Sequence, residues 1–481
     1  MAGLALPFLL PEVVNPDLRF KKYLNFLLAM MARRCNATHV LSKPFDISIN
    51  PSTACQLQCP YCETGNGTMS RPATNLPVDL HRQMISQVVD ELFVARYFGT
   101  GESLLNKRFA DLLLEIKQKE IFSFITTNFS FKFSDKQIDE LIDSGLNLIG
   151  ISLDGIEQKT YAQYRVGGNC ALVIDNMCRL IKRRNDLGRT YPLVQWRYLV
   201  FKHNAHEVET VRQLSDKFGV DLLEFVQGFA PKDGSGVVQM VERFDLQPSI
   251  AGPALRKAVL NKRTPLQKLI MQHKYEHHLP PKELKYQKCD WHYLGSYWYP
   301  DGGVGPCCIA TDIKEDFGKV TPQEGFNTVW NGELYKDARS LISGERKNDS
   351  FCGSCRNKGT MDKFFITSIR GILLNAPNWV LKILSSDPEC FFHPIDHYYF
   401  YNEIRAITNN HGQFAGDYED IVMRMRTYLE SNIEKERYVT ALLMQLEEKI
   451  EIPQLTIKQR ISKLKGEVIY NLHKFKHASG W

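Results

Sequence analysis

The chain has no apolar run long enough to cross a bilayer, which takes about 20 residues. A membrane-spanning helix is therefore not expected. A basic leader is also missing: the start, MAGLALPFLLPEVV, carries no positive charge, and Pro7 and Pro11 break its apolar stretch. It does not read as a signal peptide, so the expected compartment is the cytoplasm. Charge of one sign is scarce too. There are 60 Lys and Arg against 54 Asp and Glu, a net +6. Basic runs such as Lys182–Arg184 are short and dispersed, and read as solvated helix faces. Nucleic acid is not an expected partner. What remains is an ordinary globular composition, 43% hydrophobic and 24% charged, over 481 residues. That length suggests two or three domains.

Cysteine is plentiful. Twelve in a reducing compartment call for something other than structural disulfides, and metal ligation is the leading explanation. Three fall in ACQLQCPYC, residues 54–62, as Cys55, Cys59 and Cys62. Five more, Cys289, Cys307, Cys308, Cys352 and Cys355, fall between 289 and 355.

The stretch FDISINP (45–51) alternates like a strand and leads into the first cysteine loop. Helical spacing follows at 79–92, then a strand at 93–98, a helix at 107–119 and a strand at 122–128. A helix at 134–145 has Ser134 and Gln137 spaced as a capping box and Gly145 as its stop. Strands at 146–155, 194–201 and 221–226 alternate with helices at 171–184 and 206–218. Six strands separated by helices imply an α/β fold with a parallel sheet, a partial (β/α)6 barrel. Its functional residues belong at the C-terminal ends of the strands, where the cysteine loop lies.

The expected organisation is an N-terminal segment (1–44), the barrel (45–228), a connecting segment (229–285), a small cysteine-bearing domain (286–360) and a mainly helical region (361–481). Within the last, 365–384 is apolar but interrupted by Arg370, Pro377 and Lys382. Core packing explains it better than a membrane surface does. The pattern at 417–450 suits a long helix that could form a dimer. His273 and His277 are four apart, but without a third ligand they read as a polar helix face.

Three thiolates are one short of a closed zinc site, and nothing in the spacing makes His39 the fourth ligand. On a four-iron cluster, three thiolates leave one iron open. The neighbouring motifs fall in order at strand ends: FGTGESLLN (98–106), TTN (126–128), ISLDG (151–155), then YRVGG (164–168). Together with Cys-x3-Cys-x2-Cys they resemble the radical S-adenosylmethionine (SAM) superfamily over about residues 45–226. The resemblance implies that Cys55, Cys59 and Cys62 hold a [4Fe-4S] cluster whose free iron chelates SAM. It places Tyr61 near the adenine. Gly101 and Glu102 meet the methionine amino group, with Thr100 where the family has a further glycine. On the same resemblance Ser152, Asp154 and Arg165 would contact the ribose and carboxylate of SAM, and Asn128 is a further candidate. One electron from the cluster would cleave SAM to a 5′-deoxyadenosyl radical, with a flavodoxin or ferredoxin as donor.

The second set is read from a hairpin at 296–308 with its turn at Asp301–Gly303, a helix at 326–344, and CGSC (352–355). A zinc ribbon would also use four cysteines. After a radical SAM core, PDGGVGPC, VWNGELY and the final Cys-x2-Cys resemble the SPASM/Twitch extension. This implies one auxiliary [4Fe-4S] cluster on Cys289, Cys307, Cys352 and Cys355, with Cys308 the alternative to Cys307. Cysteines for a second auxiliary cluster are lacking. Full cysteine ligation suits electron transfer.

The expected reaction is oxidation or epimerisation of a small polar, sugar-like molecule. Epimerisation needs a thiol near the site, and Cys170, Cys178 and Cys390 are candidates beside their ordinary role as buried side chains. Modification of a ribosomally made peptide is the alternative, weakened by only 44 residues preceding the first barrel strand. A non-catalytic iron–sulfur or zinc protein would not need GTGE and SLDG at matched strand ends.

Overall fold

The computed structural model describes residues 9–230, 236–241, 249–250, 264, 266–267, 270, 289–321, 324–342, 350–355, 363–414, 423 and 425. Helix α1 (Pro16–Arg34) starts on an Asn15 cap, whose side chain accepts from the Asp17 and Leu18 amides, with Pro16 in the first turn. It is a core helix, buried nearly throughout. Its buried Lys22 ammonium is held by the Lys119 carbonyl at 2.6 Å and the Glu120 carbonyl at 3.0 Å.

The sheet carries the site. Strands β1 (Asp46–Ile49), β2 (Val94–Arg96), β3 (Phe122–Thr127), β4 (Leu148–Ser152), β5 (Leu193–Val200) and β6 (Leu222–Gln227) run parallel in sequence order. Helices α2 (Val78–Ile85), α3 (Phe109–Leu114), α4 (Asp135–Asp143), α5 (Cys170–Asp186) and α6 (Val208–Phe218) fall between them. All six expected strands and their intervening helices are present. Ser134 and Gln137 form the capping box, and Gly145 has φ 90° just after α4.

The helix expected over 79–92 ends at Ile85, with turns beyond it. The helix expected over 326–344 is two, Phe326–Trp330 and α7 (Glu333–Ile342). The break falls at Asn331–Gly332, a local turn signal, and is fixed by a tertiary contact. The Asn331 side chain is drawn to Val40, accepting from its amide at 3.0 Å and donating to its carbonyl at 2.9 Å.

The sheet continues past the barrel. The hairpin strands β8 (Gly295–Trp298) and β9 (Gly303–Gly305) and the short β10 (Gly318–Lys319) extend it at the β1 edge. Strand β8 pairs parallel with β1, Asp46 opposite Gly295. At the far edge β7 (Ser249–Ile250) pairs antiparallel with β6, giving ten strands among the described residues. The hairpin turn needs Gly302, at φ 87°.

The two faces differ. Trp196 stacks on Phe218 of α6, and the Arg212 guanidinium lies over the Phe225 ring, so Trp196 and Phe225 face the helices. Strand alternation then puts Gln195, Arg197 and Glu224 on the inner face. Helix α8 (Lys363–Leu374) lies against that face at β1 and β2. Ser368 Oγ donates to Asp46 at 2.5 Å, Phe364 covers the Arg96 guanidinium, and Arg96 pairs with Asp46. The apolar stretch 365–384 is thus core, split between α8 and α9 (Asn378–Ser386) at Pro377. The expectations at His273 and His277 and, but for Met423 and Met425, over 417–450 lie outside the described residues. Among those described, no helix is long and apolar enough to cross a membrane.

Candidate functional site

The loop leaving β1 carries Cys55, Cys59 and Cys62, and neighbouring strand ends fix its shape. The Glu102 amide donates to the Ala54 carbonyl at 2.7 Å. Gly101 sits at φ 80°, and a Cβ there would lie 2.5 Å from the Ser52 carbonyl oxygen. Only glycine fits that approach. Thr100 donates its amide to Asn50 Oδ1 at 2.6 Å, so the threonine in the GTGE segment leaves this backbone contact intact. From the other side, the Gln58 amide donates to the Val166 carbonyl in YRVGG.

Cys59 is buried and Cys55 and Cys62 are half-buried. They pack in a small apolar cluster with Leu57, Tyr164, Phe201 and Val238. Tyr61 belongs to it, its ring 6.4 Å from Tyr164, which lies 4.7 Å from Phe201.

Glu102 is buried, and both its carboxylate oxygens are occupied. Oε1 accepts from Thr127 Oγ1 at 2.7 Å and the Leu104 amide at 3.1 Å; Oε2 accepts from the Asn128 amide at 2.7 Å. Burial raises its pKa, and these bonds oppose the rise. Asn128 in turn directs its Nδ2 toward Cys55 Sγ at 3.7 Å. Arg165 reaches Cys59 Sγ with Nη1 at 3.9 Å. Its Nε is held by Asp154 Oδ2 at 2.5 Å, and Asp154 Oδ1 accepts from the Leu199 amide at 2.7 Å. Asp154 is fully buried, so its role visible here is to position Arg165. Ser152 ends β4, half-buried and directly across from Arg197.

These donors suit a cationic cluster. Burial pushes the Cys55 thiol up to about 11 and raises Cys59 as well, where the Arg165 charge opposes it. Without a cation, three thiolates in this pocket would be costly; bound iron stabilises them.

In the second set, Cys307 and Cys352 are buried and Cys289, Cys308 and Cys355 half-buried. Burial, and then the nearby Cys307, raises the Cys289 thiol well above its usual range, with Cys352 adding to this. Cys352 and Cys355 share a single turn, Phe351–Ser354 and its cap. The donor set fits a thiolate-held cluster. Among the described residues, no three His, Cys, Asp or Glu side chains converge as a ready-made single-ion site.

Of the candidate thiols, Cys170 opens α5 and donates to the Gly155 carbonyl, Cys178 lies further along α5, and Cys390 sits in the short helix Pro388–Phe391. None belongs to the cluster around the cysteine loop. A cavity of about 390 Å³ among the C-terminal helices, lined by residues including Pro388, His397 and Tyr401, shares no residue with the site.

Several site residues were not singled out from sequence. Asn50 caps the Thr100 amide and accepts from Tyr297 of β8. Arg71, following the cysteine loop, stacks 3.3 Å over Tyr299 and pairs with Asp316, docking the loop on the hairpin. Gln195, Arg197 and Glu224 line the inner face. His292 lies beside Cys352; CDWH (289–292) offered a Cys-x2-His signal.

A parallel barrel sheet with three cysteines at its first strand end defines the class. Residues 49–214 match the family described as "Radical SAM superfamily", and residues 289–356 match "Iron-sulfur cluster-binding domain", SPASM. The chain belongs to the radical SAM superfamily and carries a C-terminal SPASM domain, with iron–sulfur clusters and SAM as cofactors. Similar proteins include the tungsten-containing aldehyde ferredoxin oxidoreductase cofactor-modifying protein of Pyrococcus furiosus, 22% identical over 36% of this chain and 48% of that one. Another is a probable GTP 3′,8-cyclase of Archaeoglobus fulgidus, 25% identical over 41% and 60%. The chain thus spans about half to three-fifths of these curated relatives. Among solved structures, SuiB of Streptococcus suis bound to SAM is 19% identical, with 73% of this chain and 77% of that one covered and a TM-score of 0.44. BtrN in complex with SAM and 2-DOIA is 12% identical, over 67% and 97%, with a TM-score of 0.36.

Proposed function

We propose that this radical SAM enzyme oxidises or epimerises a small polar, sugar-like molecule. When bound, the first cluster with SAM supplies a 5′-deoxyadenosyl radical for hydrogen abstraction, and the auxiliary cluster supplies a one-electron acceptor. Cys55, Cys59 and Cys62 would hold the first cluster, and Cys289, Cys307, Cys352 and Cys355 the second. Gly101, Glu102, Asn128 and Arg165 would hold SAM, with Asp154 orienting Arg165 and Ser152 at the ribose side. Tyr61 would cover the adenine.

One observation carries the substrate reading: the inner face beside Ser152 is polar. Arg197 is the direct cross-strand neighbour of both Ser152 and Glu224. Its Nε donates to Glu224 Oε2 at 3.0 Å, and Gln195 Nε2 donates to the same oxygen at 2.9 Å. Among the described residues the Arg197 amino groups have no hydrogen-bond acceptor and can donate to substrate oxygens, and Glu224, partly exposed at 16%, can accept from hydroxyls. Such a set suits hydroxyl-bearing molecules. The test is deuterium transfer into 5′-deoxyadenosine from a panel of carbon-deuterated polyols, aminocyclitols and short peptides. Transfer from a polyol or aminocyclitol, reduced tenfold or more in Arg197→Met, supports the reading; transfer only from peptides overturns it.

A further inference from the structure

His292 is 1% exposed, in the short helix Trp291–Leu294, three residues after Cys289. Its Nε2 lies 3.6 Å from Cys352 Sγ. The ring is fixed by its neighbours. It stacks on Phe317 at 5.7 Å and 24°, and meets Tyr335 edge-on at 6.0 Å. The Arg339 guanidinium holds the same residue's carbonyl at 2.9 Å. Imidazole in this position has little freedom to turn away from the thiol.

The tautomer follows from the surroundings. Nδ1 is buried and, among the described residues, has no hydrogen-bond partner. A proton on Nδ1 would bury an unsatisfied donor, whereas an unprotonated Nδ1 leaves only a weak acceptor unmet. Nε2, the nitrogen facing Cys352, therefore carries the proton.

We infer that His292 is a positioning and tuning residue of the auxiliary cluster, donating an Nε2–H···S hydrogen bond to the Cys352 thiolate. This rests on the proposal that Cys352 is a ligand of that cluster. A hydrogen bond to a ligating sulfur draws electron density from it and favours the reduced, more negative cluster. It raises the reduction potential and makes the cluster a better electron acceptor, which is the task the proposed oxidation sets it. Hydrogen-bond donation accounts for a polar ring in a position otherwise walled by Phe317 and Tyr335, where Phe would fill the same space.

The experiment uses the full chain, reconstituted anaerobically, with the triple Cys55/Cys59/Cys62→Ala background to leave only the auxiliary cluster. Its midpoint potential is read by electron paramagnetic resonance during a redox titration, beside an iron count. In this background, His292→Phe should keep about four irons per chain and move the midpoint to more negative values. His292→Gln, which retains a side-chain N–H, should fall between the two. An unchanged midpoint in His292→Phe overturns the inference while the auxiliary cluster stands. Loss of iron in both variants overturns it as well, because His292 would then be a ligand or a structural support. No iron with His292 intact overturns the auxiliary cluster itself, and the inference with it.

Discussion

At Glu102, a single buried carboxylate connects three strand ends. It fixes Thr127 and Asn128 through its oxygens and the cysteine loop through its amide. Glu102→Gln keeps the size but replaces one charged acceptor with a donor, which would face the Asn128 amide. In the proposed site Glu102 also accepts from the SAM amino group; hydrogen bonds to charged groups contribute about 1.5–3 kcal/mol, so losing that one should weaken SAM affinity roughly 10- to 100-fold. Equilibrium dialysis with labelled SAM checks this; unchanged affinity would remove Glu102 from the site. Residues of this kind were legible because their motifs are local: Cys-x3-Cys-x2-Cys, GTGE and SLDG are each read from a few adjacent letters. Asp154 was legible as a site residue, but its pairing with Arg165 and Leu199 depends on tertiary approach. Arg197 and Glu224 were not legible, because a polar residue alternating along a strand reads the same whether it faces solvent or a barrel interior.

Among the elements, helix α2 is clamped to the end of β2 by a buried pair, His81 Nε2 with Tyr97 OH at 3.0 Å. His81 is fully buried, and burial lowers its pKa from 6.5 to about 3. Between those values the unfolded chain binds a proton that the folded chain refuses, so stability rises with pH. The contribution is fully present above about pH 6.5 and is lost as pH falls, at about 1.4 kcal/mol per pH unit. His81→Gln should flatten the dependence of unfolding free energy on pH by about that slope. Urea unfolding of both proteins across the range checks this, and parallel curves would contradict it. The order of strands and helices was legible from periodicity and length. Their ends were less so: Asn331–Gly332 is a local break signal within 326–344, but the docking of Asn331 on Val40, almost three hundred residues away, is carried by no local pattern.

In the whole molecule, the auxiliary region is built onto the barrel. Strand β8 continues the sheet at β1, so the two cysteine sets hang from adjacent strands. Arg33 of α1 is fully buried between Asp290, next to Cys289, and Asp396 of the C-terminal helices, at 2.5 and 2.7 Å. Asn50 and Tyr297 join the GTGE segment to the hairpin. Parallel pairing of strands some 250 residues apart leaves no mark on either, which is why the sequence suggested a sequence of units and the fold is one sheet. The central claim is that this sheet carries two clusters, the first of which initiates radical chemistry. It is tested most directly by counting iron and sulfide in reconstituted protein, beside the Cys55/Cys59/Cys62→Ala variant, and then adding dithionite and SAM. About eight irons in the wild type, about four in the variant, and 5′-deoxyadenosine only from the wild type is the predicted result. Equal iron in both proteins, or nucleoside from the variant, would contradict the account.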